Sequence, residues 1–289
     1  MTPELDRWEI TLCSVVLIAV LTILLALALL TDSLRLWTLF SLLSEELVYV
    51  GLTIVIAYLA SPRLGFLTLV LLLLSGSLNI VLKNLLNIPR PPPELWRVPV
   101  SGPGFPSGHA QISATFWTST ALSLRNHYIV TLSILTVIST AMSRVALRVH
   151  SIYDVVAGVV LGTSLAILSY YMDKVFGFRY AVLILSITSS CLSIYCLFLG
   201  YEAGISAAIT GLSLGIASSV RFLEDTSKKI ASLDIPRRIV SLLLVSPFLV
   251  AVTVPGFSSP YLKIPLYISL GMLISVAPTL TSYITRKRG

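Results

Sequence analysis

Ser143-Arg144-Val-Ala-Leu-Arg148-Val-His150-Ser-Ile-Tyr-Asp154 is a charged island in a chain otherwise rich in Leu, Ile, Val and Ser. Apolar runs border it on both sides, so it reads as the junction of two helices. His150 and Asp154 are four residues apart. On a helix they would share one face, where the carboxylate can engage one imidazole nitrogen and leave the other free. Such a pair makes a nucleophile: Asp154 fixes the tautomer and His150 presents a lone pair to an electrophile. Arg144 adds a fork-shaped donor suited to phosphate oxygens. The competing reading is a surface loop of Arg–Asp pairs, and this stretch alone does not decide between them.

Two further stretches supply what a histidine nucleophile would lack. Pro106-Ser107-Gly108-His109 stands just before an apolar run, which puts Ser107 and Gly108 near a helix N-terminus, where backbone N–H groups favour an anion. His109 is a second imidazole, able to act as an acid. Upstream, Lys83 and Arg90-Pro91 add two cations. In order and spacing the three blocks resemble the signature of the type 2 phosphatidic acid phosphatase and haloperoxidase superfamily. That signature is Lys, six residues, Arg-Pro; then Pro-Ser-Gly-His; then Ser-Arg, five residues, His, three residues, Asp. No specified position departs from it, and the resemblance extends roughly from residue 36 to 172.

The resemblance implies the residue roles. Lys83, Arg90, Ser107, the Gly108 N–H and Arg144 would bind the phosphoryl oxygens. His150 would attack phosphorus with Asp154 orienting it. His109 would protonate the leaving oxygen and then activate water. The implied reaction is hydrolysis of a lipid phosphate or isoprenoid diphosphate through a phosphohistidine, with no cofactor and no metal. Two alternatives belong to other classes: a phosphotransferase handing the phosphoryl group to an alcohol, and a non-catalytic lipid transporter or scaffold. The second would usually have lost a motif histidine or the aspartate. The haloperoxidase reading conflicts with the hydropathy, since the known haloperoxidases are soluble.

With 56% hydrophobic and 11% charged residues and a mean hydropathy of +0.92, the chain reads as an integral membrane protein. A span needs about 20 apolar residues. Ten can be drawn, near 10–30, 37–60, 64–82, 109–124, 128–146, 154–172, 180–199, 203–220, 239–255 and 264–284. The expected fold is therefore all-α: a polytopic transmembrane bundle with a six-helix phosphatase core in residues 1–179 and about four extra spans, of unreadable role, in 180–289. The net charge of +7 is scattered over short connectors with no aromatic-interleaved basic patch. It reads as the positive-inside bias of membrane proteins. The expected partners are thus a lipid phosphate and membrane lipids, with no nucleic acid; a homo-oligomer stays open. Cys13, Cys191 and Cys196 show no metal-ligand or disulfide spacing. The first apolar run lacks a basic leader and a small-residue cleavage site, so it is expected to be retained.

Counting Lys and Arg in alternate connectors gives thirteen on the side of the N-terminus and seven on the other. Both termini are then expected in the cytoplasm, with the motif blocks facing outward, the plasma membrane being the natural location. Four details are left open. Glu45 and Glu46 fall inside the second span, where a carboxylate costs about 2.5–3.5 kcal/mol and calls for a partner. Trp96 and Arg97 suit a headgroup anchor or a plain surface loop. Gly158/Gly162 and Gly211/Gly215 permit close helix approach, inside the chain rather than between chains. The stretch from Arg221 to Arg238 reads as a solvated loop.

Overall fold

Of the ten expected apolar spans, most fold as long single helices, and the departures matter most for the site. The computed structural model describes residues 7–253 and 259–286; Lys287 and Arg288, two of the thirteen basic residues counted on the N-terminal side, and the end of the ninth span lie outside them. The helices are α1 (Arg7–Thr31), α2 (Leu34–Leu42), α3 (Glu46–Val55), α4 (Pro62–Leu86), α5 (Gly108–Leu124), α6 (His127–Ala146), α7 (Ile152–Phe176), α8 (Phe178–Phe198), α9 (Ala203–Ser232), α10 (Ile235–Thr253) and α11 (Pro260–Arg286). No strand occurs among the described residues. Among the described residues seven helices are long and apolar enough to cross a membrane, and α2 with α3 and its continuation make an eighth as a pair bent by 48°. The fold is an all-α polytopic bundle.

The second expected span is broken. Ser44 turns its hydroxyl back onto the Phe40 and Ser41 carbonyls, at 3.0 and 2.8 Å, and the chain re-enters helix at Glu46. A hydroxyl bonding the preceding turn competes with the helical ladder. Glu45 stands just before the new helix and Glu46 in its first turn, where negative charge suits the positive end of the dipole. The fourth span is a helix, but its 17 residues cover only about 25 Å, short of an apolar core about 30 Å thick.

The stretch expected as a loop from 221 is helical as far as Ser232. Hydropathy falls there, yet Leu223, Thr226 and Ile230 keep a buried stripe at helical spacing, while Glu224 and Lys228 pair at 3.5 Å on the open face. Amphipathic periodicity sustains the helix beyond the apolar run.

The chain divides into two compact units, Met1–Tyr49 with Leu82–Tyr170, and Val50–Val81 with Tyr171–Gly289. In the second, α9 packs between α8 and α11. A Cβ on Gly211 would lie 2.3 Å from that of Tyr267, and one on Gly215 2.3 Å from the Ile268 carbonyl. These glycines therefore serve packing within the chain. Pro278 removes the N–H that would bond the Ile274 carbonyl, and the buried Tyr58 hydroxyl donates to that oxygen instead, at 2.7 Å. From Leu64 to Val81 the α4 segment in this unit is mostly apolar and buried at every position but Leu78, as a helix without a polar face must be.

In the first unit, α1 and α2 pack on α6, and α5 pairs with α6. Ala28, Trp37, Phe40, Leu147 and Val149 form a core cluster, with Leu147 and Val149 wholly buried. Those two residues flank Arg148 just before His150. Burying each is worth about 1.5–3 kcal/mol, so the turn that carries the histidine is pinned by its neighbours.

Candidate active site

Lys83 lies in the last turn of α4, Arg144 in the last turn of α6, His109 in the first turn of α5, and Asp154 in the first turn of α7. Alternate helix ends thus deliver two cations, an imidazole and a carboxylate. The connector before α5 and the turn before α7 add Arg90 and His150.

His150 is not on a helix with Asp154, as the four-residue spacing suggested; it sits in the turn before α7. A reciprocal cap joins them. The Ser151 N–H donates to Asp154 Oδ2 at 2.7 Å, and the Asp154 N–H donates to Ser151 Oγ at 3.2 Å. This is the capping-box arrangement, which the Ser-x-x-Asp spacing supplies. The same Oδ2 stands 3.5 Å from His150 Nδ1. That is beyond a full hydrogen bond, and Nδ1 finds no other partner among the described residues.

Arg90 Nη1 donates to His150 Nε2 at 2.9 Å. A guanidinium has no acceptor, so Nε2 must be the unprotonated nitrogen, and the neutral ring carries its proton on Nδ1, facing Asp154. Burial pushes the imidazole down to about 4, with Arg90, Arg144 and Lys83 adding to the fall and Asp154 opposing it. The ring is therefore neutral at physiological pH.

Arg90 is held on all sides. It donates to Gly102 O and Ser101 O, each at 3.0 Å, and to Val149 O at 2.9 Å, tying the proline-rich connector to the His150 turn. Lys83 Nζ donates to Pro103 O at 2.8 Å. Arg97, open between anchor and idle surface in the sequence, clamps the same connector. It donates to Asp32 Oδ1 at 2.7 Å and to Asp32 O at 2.9 Å, and its own N–H bonds Leu147 O. Trp96 turns inward and donates to Pro91 O at 2.8 Å.

Ser107 caps α5 with its backbone, but its buried Oγ has no partner among the described residues; neither does Nε of the buried Arg144, whose Nη1 bonds Ser41 Oγ. Two buried polar atoms without partners are costly, and an oxyanion is the group that would satisfy both. The Gly108 N–H lies at the first position of the same helix. Glycines on α7 make this possible. A Cβ on Gly158 would stand 2.5 Å from Ser107 O, and one on Gly162 2.2 Å from Gln111 O. The backbones approach closely enough for the Ser107 N–H to donate to Asp154 O at 2.9 Å.

His109 Nε2 lies 3.1 Å from Glu45 Oε1. The sequence marked Glu45 only as a carboxylate in need of a partner; this is the partner. Arg148 is exposed, and His127 starts α6 at the end remote from Arg144, about 25 Å along the helix. Among the described residues no three His, Cys, Asp or Glu side chains cluster as metal ligands.

The eight candidate site residues thus meet at one end of an all-α bundle, as a histidine–aspartate pair ringed by fixed cations. Residues 64–178 match the model of the PAP2 superfamily, which supports membership of the type 2 phosphatidic acid phosphatase superfamily. The matched stretch contains all three motif blocks. No curated protein and no solved structure matches the chain.

Proposed function

We propose that the protein is a phosphatase that hydrolyses a lipid phosphate ester or isoprenoid diphosphate at the outer membrane face, through a phosphohistidine and without a metal. One observation carries the reading: His150 holds its Nε2 lone pair toward Arg90 and its proton toward Asp154. A phosphoryl group that takes over the Arg90 Nη1 hydrogen bond would meet the lone pair this releases. Nε2 bonds to phosphorus as the ester P–O bond breaks, and the leaving oxygen takes a proton from His109. In the second step water attacks phosphorus, the P–N bond breaks, and His109 takes the proton from the water. Lys83, Arg90, Arg144, Ser107 Oγ and the Gly108 N–H neutralise charge on the equatorial oxygens throughout. The lipid substrate is inferred from a site that opens among helices long enough to cross a membrane. Residues 1–179 would then be the phosphatase core, with 180–289 an accessory module.

The test is phosphate release by detergent-purified protein from phosphatidic acid, polyprenyl diphosphate and sugar phosphate, with EDTA present. Release from a lipid substrate, undiminished by EDTA and blocked by vanadate, is the expected result. Activity lost to EDTA and restored by magnesium overturns metal independence. Transfer to an added alcohol in place of water would make the protein a phosphotransferase, and no reaction on any substrate would favour the transporter or scaffold.

Orientation has its own measurement. In a background without the three native cysteines, a cysteine at the exposed Leu95 is expected to react with an impermeant thiol reagent on intact cells. Cysteines replacing Arg125 or Asp234 are expected to resist it. The reverse pattern puts the chemistry on the cytoplasmic face.

A further inference from the structure

The broken second span places more than a carboxylate beside His109. Three residues on α3 and its approach, α5 and α6 meet in successive layers one helical turn apart. In the first layer Glu45 meets His109, and Arg144 lies near enough to act electrostatically on both. In the next, Tyr49 and Ser113 stand four residues after Glu45 and His109, and Thr140 four residues before Arg144. The Tyr49 hydroxyl, wholly buried, donates to Ser113 Oγ at 3.1 Å, and Ser113 Oγ reaches Thr140 Oγ1 at 3.4 Å. Trp117, a turn deeper on α5, donates from its indole to the Tyr49 hydroxyl at 3.2 Å. A buried network of this kind holds its members in one arrangement, because each broken link leaves an unsatisfied group. Tyr49 is therefore fixed against α5, and Glu45, one turn before it, is fixed opposite His109.

We infer that Glu45 is the positioning residue for His109, holding its ring by Nε2 for its task as the general acid. The inference rests on the phosphatase reading and deepens it. With Nε2 committed to Glu45, Nδ1 is the nitrogen left to give its proton to the leaving oxygen, and the glutamate stays ionised throughout. The charges facing the ring are Glu45 from the helix break, Arg144 from α6 and Lys83 from α4. Burial pushes the ring below its ordinary value and the two cations push it the same way, while Glu45 alone opposes them, so without the carboxylate the acid form would be lost at still lower pH. Glu45 is half-exposed to the outside while His109 is largely covered, which also gives the reloading proton a way in.

The experiment compares wild type with Glu45→Gln on a lipid phosphate and on p-nitrophenyl phosphate, whose leaving group hardly needs a proton. An opposite charge within a few ångströms moves a titration by about one unit or more. The basic limb of the kcat–pH profile on the lipid is therefore expected to shift at least about one unit to acid, with at least about a tenfold loss above it. The burst of phosphoenzyme from p-nitrophenyl phosphate should stay within about twofold, since acid catalysis contributes little there. A merely structural role would lower both substrates together without moving the limb. Should Glu45→Gln not accumulate as folded protein, Glu45→Ala decides by rescue: added formate restores lipid turnover where chloride does not. An unmoved basic limb in Glu45→Gln, a faster Glu45→Gln, or an unrescued Glu45→Ala overturns the inference while leaving the phosphatase reading intact. A wild type that releases no phosphate from any substrate sinks the reading beneath it.

Discussion

His150→Ala is expected to abolish turnover of every phosphate substrate and to leave no phosphoenzyme, whatever the leaving group. The covalent route needs a lone pair where Nε2 now stands, and no neighbour can replace it. Arg90, Arg144 and Lys83 carry no lone pair when charged. His109 is held on another helix against Glu45. The wild type should show the corresponding pH signature. Because the His150 imidazole titrates at about 4, its reactive neutral form persists through neutral pH, and kcat/KM should fall only as the pH drops through about 4. The sign follows from the charge: protonation consumes the lone pair, so activity is lost on the acid side. Asp154→Asn should keep the turn capped in part, since an amide oxygen still accepts from the Ser151 N–H, but it removes the charge that stabilises the imidazolium. Label trapped in His150→Ala would overturn the assignment.

The parts of the site legible in the sequence are those whose chemistry is local. Pro106-Ser107-Gly108-His109 reads as a helix start because proline and glycine precede an apolar run, and α5 does begin at Gly108. Lys83 and Arg144 fall at helix ends because a charge terminates an apolar run, and in both cases the structure puts them in the last turn. The glycine pairs could be read as close-approach positions. Which helices approach was not in the pattern; Gly158 and Gly162 meet α5, and Gly211 and Gly215 meet α11.

What stayed hidden depends on partners distant in sequence or on signals that hydropathy averages away. The break at Ser44 lies within a run of uniform apolarity, and only its two acidic residues betray it. Glu45 could be flagged as expensive, but nothing local names His109, 64 residues on. The clamp between Arg97 and Asp32 spans 65 residues and joins two connectors that each look idle. The His150–Asp154 pair was found for a reason that needed correction: the spacing fits a helix face, yet a capping box bends the chain so that only Asp154 is helical. The Ser-x-x-Asp pattern of Ser151 and Asp154 is the local signal for this cap.

His109→Ala is expected to separate binding from proton transfer. A lipid alkoxide is a poor leaving group and needs a proton in the transition state, whereas p-nitrophenolate is already a stable anion. General acid help is worth ~10²–10⁴-fold, so His109→Ala should lose about that much on a lipid phosphate. On p-nitrophenyl phosphate the formation of phosphoenzyme should be nearly spared, because His150, Asp154 and the cations are all in place. Its hydrolysis should be slow, since the same imidazole serves as base for water in the second step. Labelled phosphoenzyme is therefore expected to accumulate in His109→Ala, seen as a burst of p-nitrophenolate followed by a slow steady state. That burst also checks the fold of the variant, as a collapsed site would give none. If His109→Ala traps no label while His150→Ala does, the two histidines exchange roles, and Glu45 becomes the partner of the nucleophile.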